Sequence, residues 1–344
     1  MKKTAMLFAM GAAALAVAPF PANAGTLEDI KARNELRCIV NTGLAGFSYT
    51  DSAGQWRGFD ADFCRALAAA VVGDASKVKF IPATGKTRFT LLNSKEGDVL
   101  FRNTTWTYVR DVDVKLTFVG VNYYDGQGFI IRKAAGVKSA KQLNGATVCI
   151  QTGTTTELNL AEFFRVNKIK YEPVPIETNE EARTAYLAQR CDTYTTDASG
   201  LAATRATFDK PADHVILPEI ISKEPLGPAV RHGDDQWADV VRWTVNALLS
   251  AEELGVTQAN ADDQSKNSKN PEVKRMLGTE GNLGGMMGLD KSWALRAVKA
   301  VGNYGEIFDR NIGPKTNIAL ARGLNAQWDK GGLQYSPPDR KSVV

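Results

Sequence analysis

After its first two dozen residues this chain has no apolar run approaching the roughly 20 residues that a membrane-spanning helix needs. Past that N-terminal segment, nothing reads as a membrane-spanning helix. Net charge is also scarce. The 42 basic and 38 acidic residues leave +4, too balanced to point to nucleic acid or an anionic membrane as partner. There are only two histidines, His214 and His232, and neither lies near a cysteine pair. No zinc-like spacing exists, so no metal is assigned, and nothing implies a cofactor. The glycines of residues 281–288 (GNLGGMMG) follow no strand and lack a phosphate-loop pattern, so they read as an irregular structural stretch.

What is present begins with an export signal. Lys2 and Lys3 precede an apolar run over residues 5–18, then Pro19-Phe20-Pro21 and the small-residue triplet Ala22-Asn23-Ala24. A charged start, a short apolar core and an A-x-A site form a cleavable signal peptide, residues 1–24; the alternative is an N-terminal membrane anchor, for which the apolar run is short. Cleavage is expected between Ala24 and Gly25, and no Cys follows that would take a lipid. A mature chain of about 320 residues fits two domains. Four cysteines remain, Cys38, Cys64, Cys149 and Cys191, and an even count in an exported chain favours disulfides. Three pairings are open, as are buried free thiols. Cys38–Cys64 with Cys149–Cys191 is preferred because it closes one loop in each half of the chain.

Strands and helices alternate along the chain. Residues 35–41 (ELRCIVN), 77–82 (KVKFIP) and 98–101 (DVLF) read as strands, with helices at 60–71, capped by Asp60, and from Arg88. The pattern restarts after Tyr124 with strands at 128–132, 146–151 and 191–196. Thr154 with Glu157, and Thr178 with Glu181, have the spacing of capping boxes. Residues 218–228 read as a crossing segment and 237–254 as a long amphipathic helix. The polar stretch 258–270 is expected to be a loop or hinge, 292–301 the final helix, and the tail after Gln334 loose. The order implies an α/β fold with parallel strands in each half.

Three clusters carry chemistry. Asn103, Thr105 and Arg110 lie just past the strand ending at Phe101, where open α/β sheets bind ligands. Arg110 supplies a planar fork that matches a carboxylate, and Thr105 and Asn103 supply neutral hydrogen bonds. The bland alternative is a surface Arg paired with Asp111 or Asp113. Thr155 sits in QTGTTTE, a strand-to-helix turn whose free amides favour anions, although simple capping explains the same residues. Asp197 ends the strand CDTYTT and offers a carboxylate to an ammonium group, or else a cap to the next helix. Anion- and cation-binding groups from separate halves complement a zwitterion, and an α-amino acid is the simplest one.

NTTWT with Arg110, QTGTTTELNLAEFF, CDTYTTD and ILPEIISKEPLGPAVR together resemble the general L-amino-acid-binding periplasmic proteins of ABC transporters, within the family 3, type II solute-binding proteins. The resemblance extends to YYDGQGF and WALRAVKAVGNYGEIFDRNIG and so spans nearly the whole mature chain. It implies two Rossmann-like α/β lobes joined by two crossing strands, with a C-terminal helical extension. Residues 25–125 and 223–265 are then lobe 1, 126–222 lobe 2, and 266–344 an extension packed on lobe 1. It also implies that Arg110, Thr105 and Asn103 hold the α-carboxylate side of the ligand, with Thr155 from lobe 2 and Asp197 on the α-ammonium. Arg88 stands where similar glutamate/aspartate binders place a basic side-chain contact, which implies acidic and amide ligands, unless it is an exposed helix-start Arg. Two aromatics that sandwich the ligand in basic-amino-acid binders are replaced by Leu44 and Gly85. Phe47 and Trp106 are nearby and read as packing residues. The implied function is periplasmic capture of glutamate, glutamine, aspartate, asparagine and related L-amino acids by a monomer that delivers them to permease subunits. Two rivals stay open: an exported dehydratase-type enzyme on the same fold, and a ligand-sensing protein that presents its ligand to a receptor.

Overall fold

In the computed structural model, which describes residues 25–339, the alternation builds two separate sheets. The signal segment and its cleavage site lie outside the described residues. Six strands come first: β1 (Leu36–Asn41), β2 (Tyr49–Thr50), β3 (Trp56–Arg57), β4 (Val78–Ala83), β5 (Val99–Leu100) and β6 (Leu116–Phe118). The chain then crosses as β7 (Tyr123–Asp125). Next come β8 (Gln127–Arg132), β9 (Ala146–Gln151), β10 (Tyr171–Ile176), β11 (Thr193–Asp197) and β12 (His214–Ile216). It crosses back as β13 (Glu224–Leu226), which pairs antiparallel with β7, and ends its strands with β14 (Ala229–Arg231).

The two sheets share one plan. The first runs β4-β1-β5-β14-β6 and the second β10-β9-β11-β8-β12. In each, three parallel strands meet one antiparallel strand, and that strand is the first one delivered by a crossing. β1 is an almost unbroken apolar run and is buried except at Arg37. Such runs suit parallel strands covered on both faces.

Both preferred disulfides form, Cys38–Cys64 and Cys149–Cys191, with sequence separations of 26 and 42. Each ties elements within one half. Thr178 and Glu181 make a full capping box. Thr154 accepts from the Glu157 amide, but the Glu157 carboxylate reaches Gly153 instead.

Four local expectations need correction. Asp60 does not cap the helix Phe59–Val72. Gly58 occupies that position, and the Asp60 carboxylate accepts from the Asn103 amide at 3.2 Å. The polar stretch after 258 contains a helix, Ala261–Asn267, which has no apolar stripe to betray it. A further helix, Tyr304–Asn311, follows Trp293–Val301 and carries its own capping box, Asn303 with Glu306. The segment after Gln334 is tied down as far as Asp339, which takes a two-pronged contact from Arg275 at 2.8–2.9 Å.

The C-terminal helices share the first core. Ala294, Ala297 and Val298 are fully buried in it together with Ala66, Leu67 and Ala68 of the helix Phe59–Val72. Small side chains let these two helices approach closely. No helix of the described residues is long and apolar enough to cross a membrane.

Candidate ligand-binding cleft

Residues at or just past the carboxyl ends of β1, β5, β9 and β11 meet at the seam between the sheets, as the geometry of open α/β sheets dictates. Asn41 ends β1 and donates to Asn103 at 3.0 Å and to Asn179 of the other half at 3.1 Å. Thr105, past β5, lies 3.3 Å from Thr155, hydroxyl to hydroxyl. Asn103 lies beside the Asp197 carboxylate and partly offsets the rise in its pKa. Its φ of +34° is left-handed, which Asn tolerates better than most residues and which turns the chain into the cleft.

Arg110 is buried, so the reading as a surface Arg fails. Its backbone is fixed by Thr107, which caps the short helix Tyr108–Val112, and its Nη1 donates to the Thr105 carbonyl at 2.8 Å. Asp111 turns instead to Trp106 and His232. Arg88 is only 2% exposed, which removes the helix-start alternative. It donates to Thr104 at 3.1 Å and to the Gly153 carbonyl across the seam at 3.4 Å, while its Nε is buried without a partner. A third arginine, Arg102, is buried beside them and donates to the Ala83 carbonyl at 3.0 Å.

Among the described residues, no ion pair involves any of these three arginines. Burial, then the charges of Arg110 and Arg102, push Arg88 well below the usual arginine range. Burial and Arg110 bring Arg102 down to about 10, and burial alone lowers Arg110 to about 10. Both remain cationic at neutral pH. Across from them Asp197 is buried and pushed well above the usual carboxylate range by burial, then by Asp125 and Glu224. It is in the N-cap position of the helix Ala198–Arg205 yet makes no capping bond, so its side chain is not spent on the helix. The cleft therefore has a wall of arginines and, across from it, a buried carboxyl group, neither with an ion-pair partner among the described residues.

Four residues here escaped the reading of the sequence as site residues: Arg102, Asn41, Asn179 and Glu224. Glu224 matters most. It sits on the crossing strand β13, and its Oε2 accepts from Thr105 at 2.5 Å and from Thr155 at 2.9 Å. Its Oε1 accepts from Asn159 at 2.7 Å and from Ser222 at 2.6 Å. Arg102 directly precedes Asn103, and Glu224 lies inside the SKEPLGP motif, so both signals were adjacent to residues already singled out.

The missing aromatics also have a physical cause. A side chain on Gly85 would meet the Thr152 carbonyl oxygen at 2.7 Å across the seam. Leu44 is buried in the first core. Phe47 is buried against Phe59 and Tyr123, whereas Trp106 is 40% exposed and stacks on Phe118.

Two α/β lobes with a double crossing and a polar seam of opposite charges define a hinged ligand trap. The chain belongs to the bacterial extracellular solute-binding proteins, family 3, whose pattern matches residues 36–259. Its role is accordingly binding, not catalysis. It is 56% identical to the glutamate/glutamine/aspartate/asparagine-binding protein BztA of Rhodobacter capsulatus, over 99% of this chain and all of that one. It is likewise 56% identical to the general L-amino acid-binding periplasmic protein AapJ of Rhizobium johnstonii, again over 99% of this chain and all of that one. Among solved structures, an ABC transporter periplasmic binding protein from Brucella ovis with glutathione bound superimposes with a TM-score of 0.90 at 58% identity, covering 92% of this chain and all of that one.

Proposed function

We propose that this protein captures polar L-amino acids, among them glutamate, glutamine, aspartate and asparagine, in the periplasm and delivers them as a monomer to the permease subunits of an ABC transporter. The observation that carries this reading is the pair of unmatched walls: buried Arg88, Arg102 and Arg110, without ion-pair partners among the described residues, facing buried Asp197. An α-amino acid supplies both missing charges. Arg110 takes the α-carboxylate, with Thr105 and Thr155 beside it, and Asp197 takes the α-ammonium. Arg88 meets an acidic or amide side chain.

Each Thr hydroxyl has one proton, and both now donate to Glu224. A ligand carboxylate competes with Glu224 for them. We take residues 25–125 and 223–265 as lobe 1, 126–222 as lobe 2 and 266–344 as the extension. Contacts made by ligand to both lobes favour the closed population over the open one, and the closed form is what the permease engages. BztA, named for these four ligands, and AapJ, named for general L-amino acids, are similar over their whole length and support the same class.

A thermal-shift panel of the twenty amino acids tests the reading. A ligand at about 100 times its Kd adds about 2.7 kcal/mol of stability. Glutamate, glutamine, aspartate and asparagine are expected to stabilise the protein. Stabilisation by none of the twenty would sink the proposal. A wider ligand range is favoured by one observation, the glutathione in the Brucella ovis relative. The γ-glutamyl end of glutathione is itself an L-amino-acid zwitterion, so γ-glutamyl peptides join the candidate ligands.

A further inference from the structure

We propose that Arg102 determines specificity together with Arg88: its two terminal nitrogens take the far end of the ligand's side chain, so that a carboxylate or amide there is held between two arginines. This deepens the reading of Arg88 as the side-chain contact and rests on it. Arg110 is assigned to the α-carboxylate and Asp197 to the α-ammonium, which leaves Arg102 as the buried cation of the cleft without a role.

Arg88 and Arg102 hang from one turn. The Arg88 amide donates to the Thr84 carbonyl at 3.3 Å, and Arg102 Nε donates to the carbonyl of the preceding residue, Ala83, at 3.0 Å. Thr104 ties them a second time. Arg88 Nη1 donates to its Oγ1 at 3.1 Å, and that hydroxyl donates to the Arg102 carbonyl at 2.9 Å. Ala83 ends β4 and is the ladder partner of Asn41, which ends β1. The Arg102 guanidinium is therefore anchored at the carboxyl ends of these strands, the edge that meets the other lobe. From that lobe Asp197 and Tyr194 of β11 act on its charge.

A buried arginine is costly unless something answers its charge and its donors. A guanidinium carries five N–H donors. Arg102 spends the one on Nε, and its side chain makes no other hydrogen bond among the described residues. Asp60 and Asp197 act on it through space, and neither forms an ion pair with it. Arg88 Nε is sealed in the protein without a partner, whereas the unpartnered terminal nitrogens of Arg102 are not sealed. They are thus left open to a ligand in the cleft. A side chain that ends in a carboxylate supplies both the counter-charge and the acceptors, and one that ends in an amide supplies an acceptor alone.

Isothermal titration of L-glutamate and L-glutamine into the wild type and into Arg102→Gln tests this. The two ligands share the α-carboxylate and α-ammonium and differ only at the side-chain end. The variant is expected to lose at least about tenfold in glutamate affinity and about threefold or less in glutamine affinity, because a hydrogen bond to a charged group is worth more than one to a neutral group. A crystal structure of the wild type with L-glutamate is the second readout, and it needs no variant to fold. The side-chain carboxylate is expected within about 3.2 Å of a terminal nitrogen of Arg102. The assignment is overturned if Arg102→Gln leaves glutamate affinity unchanged, if it weakens both ligands equally, or if that carboxylate lies beyond about 4 Å from Arg102. Failure of the wild type to bind either amino acid overturns the amino-acid reading itself, a separate result.

Discussion

At the scale of single residues, burial of charge dominates. Asp60 is buried under the Asn103 amide, and burial raises its pKa from 3.8 to about 7. A raised carboxylate binds its proton more tightly folded than unfolded. Its stabilising contribution is complete below the unfolded pKa and is lost as pH rises through the folded one, a window from about 4 to 7. The difference corresponds to about 4 kcal/mol. Asp60→Asn keeps an acceptor for the Asn103 amide and has no charge to bury. Denaturant unfolding at pH 5 and pH 8 is therefore expected to show the variant gaining on the wild type as pH rises. Parallel pH profiles would contradict this account of Asp60.

The same residues show what local sequence carries and what it does not. Arg110, Thr105, Thr155 and Asp197 could be singled out as candidates because each follows or ends a strand in the sequence, and the structure buries or half-buries all four at the seam. The residues that meet them could not. Glu224 is 119 positions from Thr105 and Asn179 is 138 from Asn41, and no local pattern encodes such pairings. Burial of Arg88 was equally invisible, because an Arg at a helix start looks the same whether water or another lobe covers it.

At the scale of elements, the crossing strands join the two sheets. β7 and β13 pair with each other, and β13 carries Glu224 into contact with Thr105 of one lobe and with Thr155 and Asn159 of the other. β7 is braced from outside. Asn325 of the C-terminal region accepts from the Tyr124 amide at 2.7 Å and donates to the Tyr124 carbonyl at 3.0 Å. Tyr304 adds a bond to the Asn122 carbonyl at 2.9 Å. The C-terminal region thus bonds to β7 and the residue before it, contacts the sequence did not suggest. Asn325→Ala leaves the part-buried Tyr124 amide and carbonyl without this partner, at about 1 kcal/mol. The expected results are a lower melting temperature and a larger unliganded radius of gyration by small-angle scattering. An unchanged melting temperature and radius would remove the bracing role.

Elements were legible in proportion to their periodicity. The helix Asp235–Glu253 buries a continuous face and was found within two residues of its ends. Ala261–Asn267 buries only Ala261, so periodicity was silent there. Tyr304–Asn311 did announce itself through Asn303 and Glu306, a capping-box spacing obscured by the glycine between them.

At the scale of the whole molecule, each disulfide lies within one lobe and neither spans the hinge. Closing loops of these sizes stabilises the folded state by about 3.5 and about 4 kcal/mol in the chain-entropy account. Replacing either pair by alanines is expected to lower denaturation stability by that order while leaving glutamate affinity within a few-fold. A large loss of affinity with little loss of stability would show that a disulfide shapes the cleft directly. The doubled sheet plan was readable because strand and helix signals recur in the same order in both halves. The closeness of the two lobes was not, since it rests on contacts such as Gly85 against Thr152 that have meaning only once both lobes exist.

The central claim is that Arg110 holds the carboxylate of an amino-acid ligand inside a buried, charged cleft. Isothermal titration of L-glutamate into the wild type and into Arg110→Ala tests it most directly. Removing one member of a buried ion pair costs roughly 3–5 kcal/mol, a loss of at least about a hundredfold in affinity. The account predicts measurable binding by the wild type and a loss of that size in the variant. Near wild-type affinity in Arg110→Ala would contradict it.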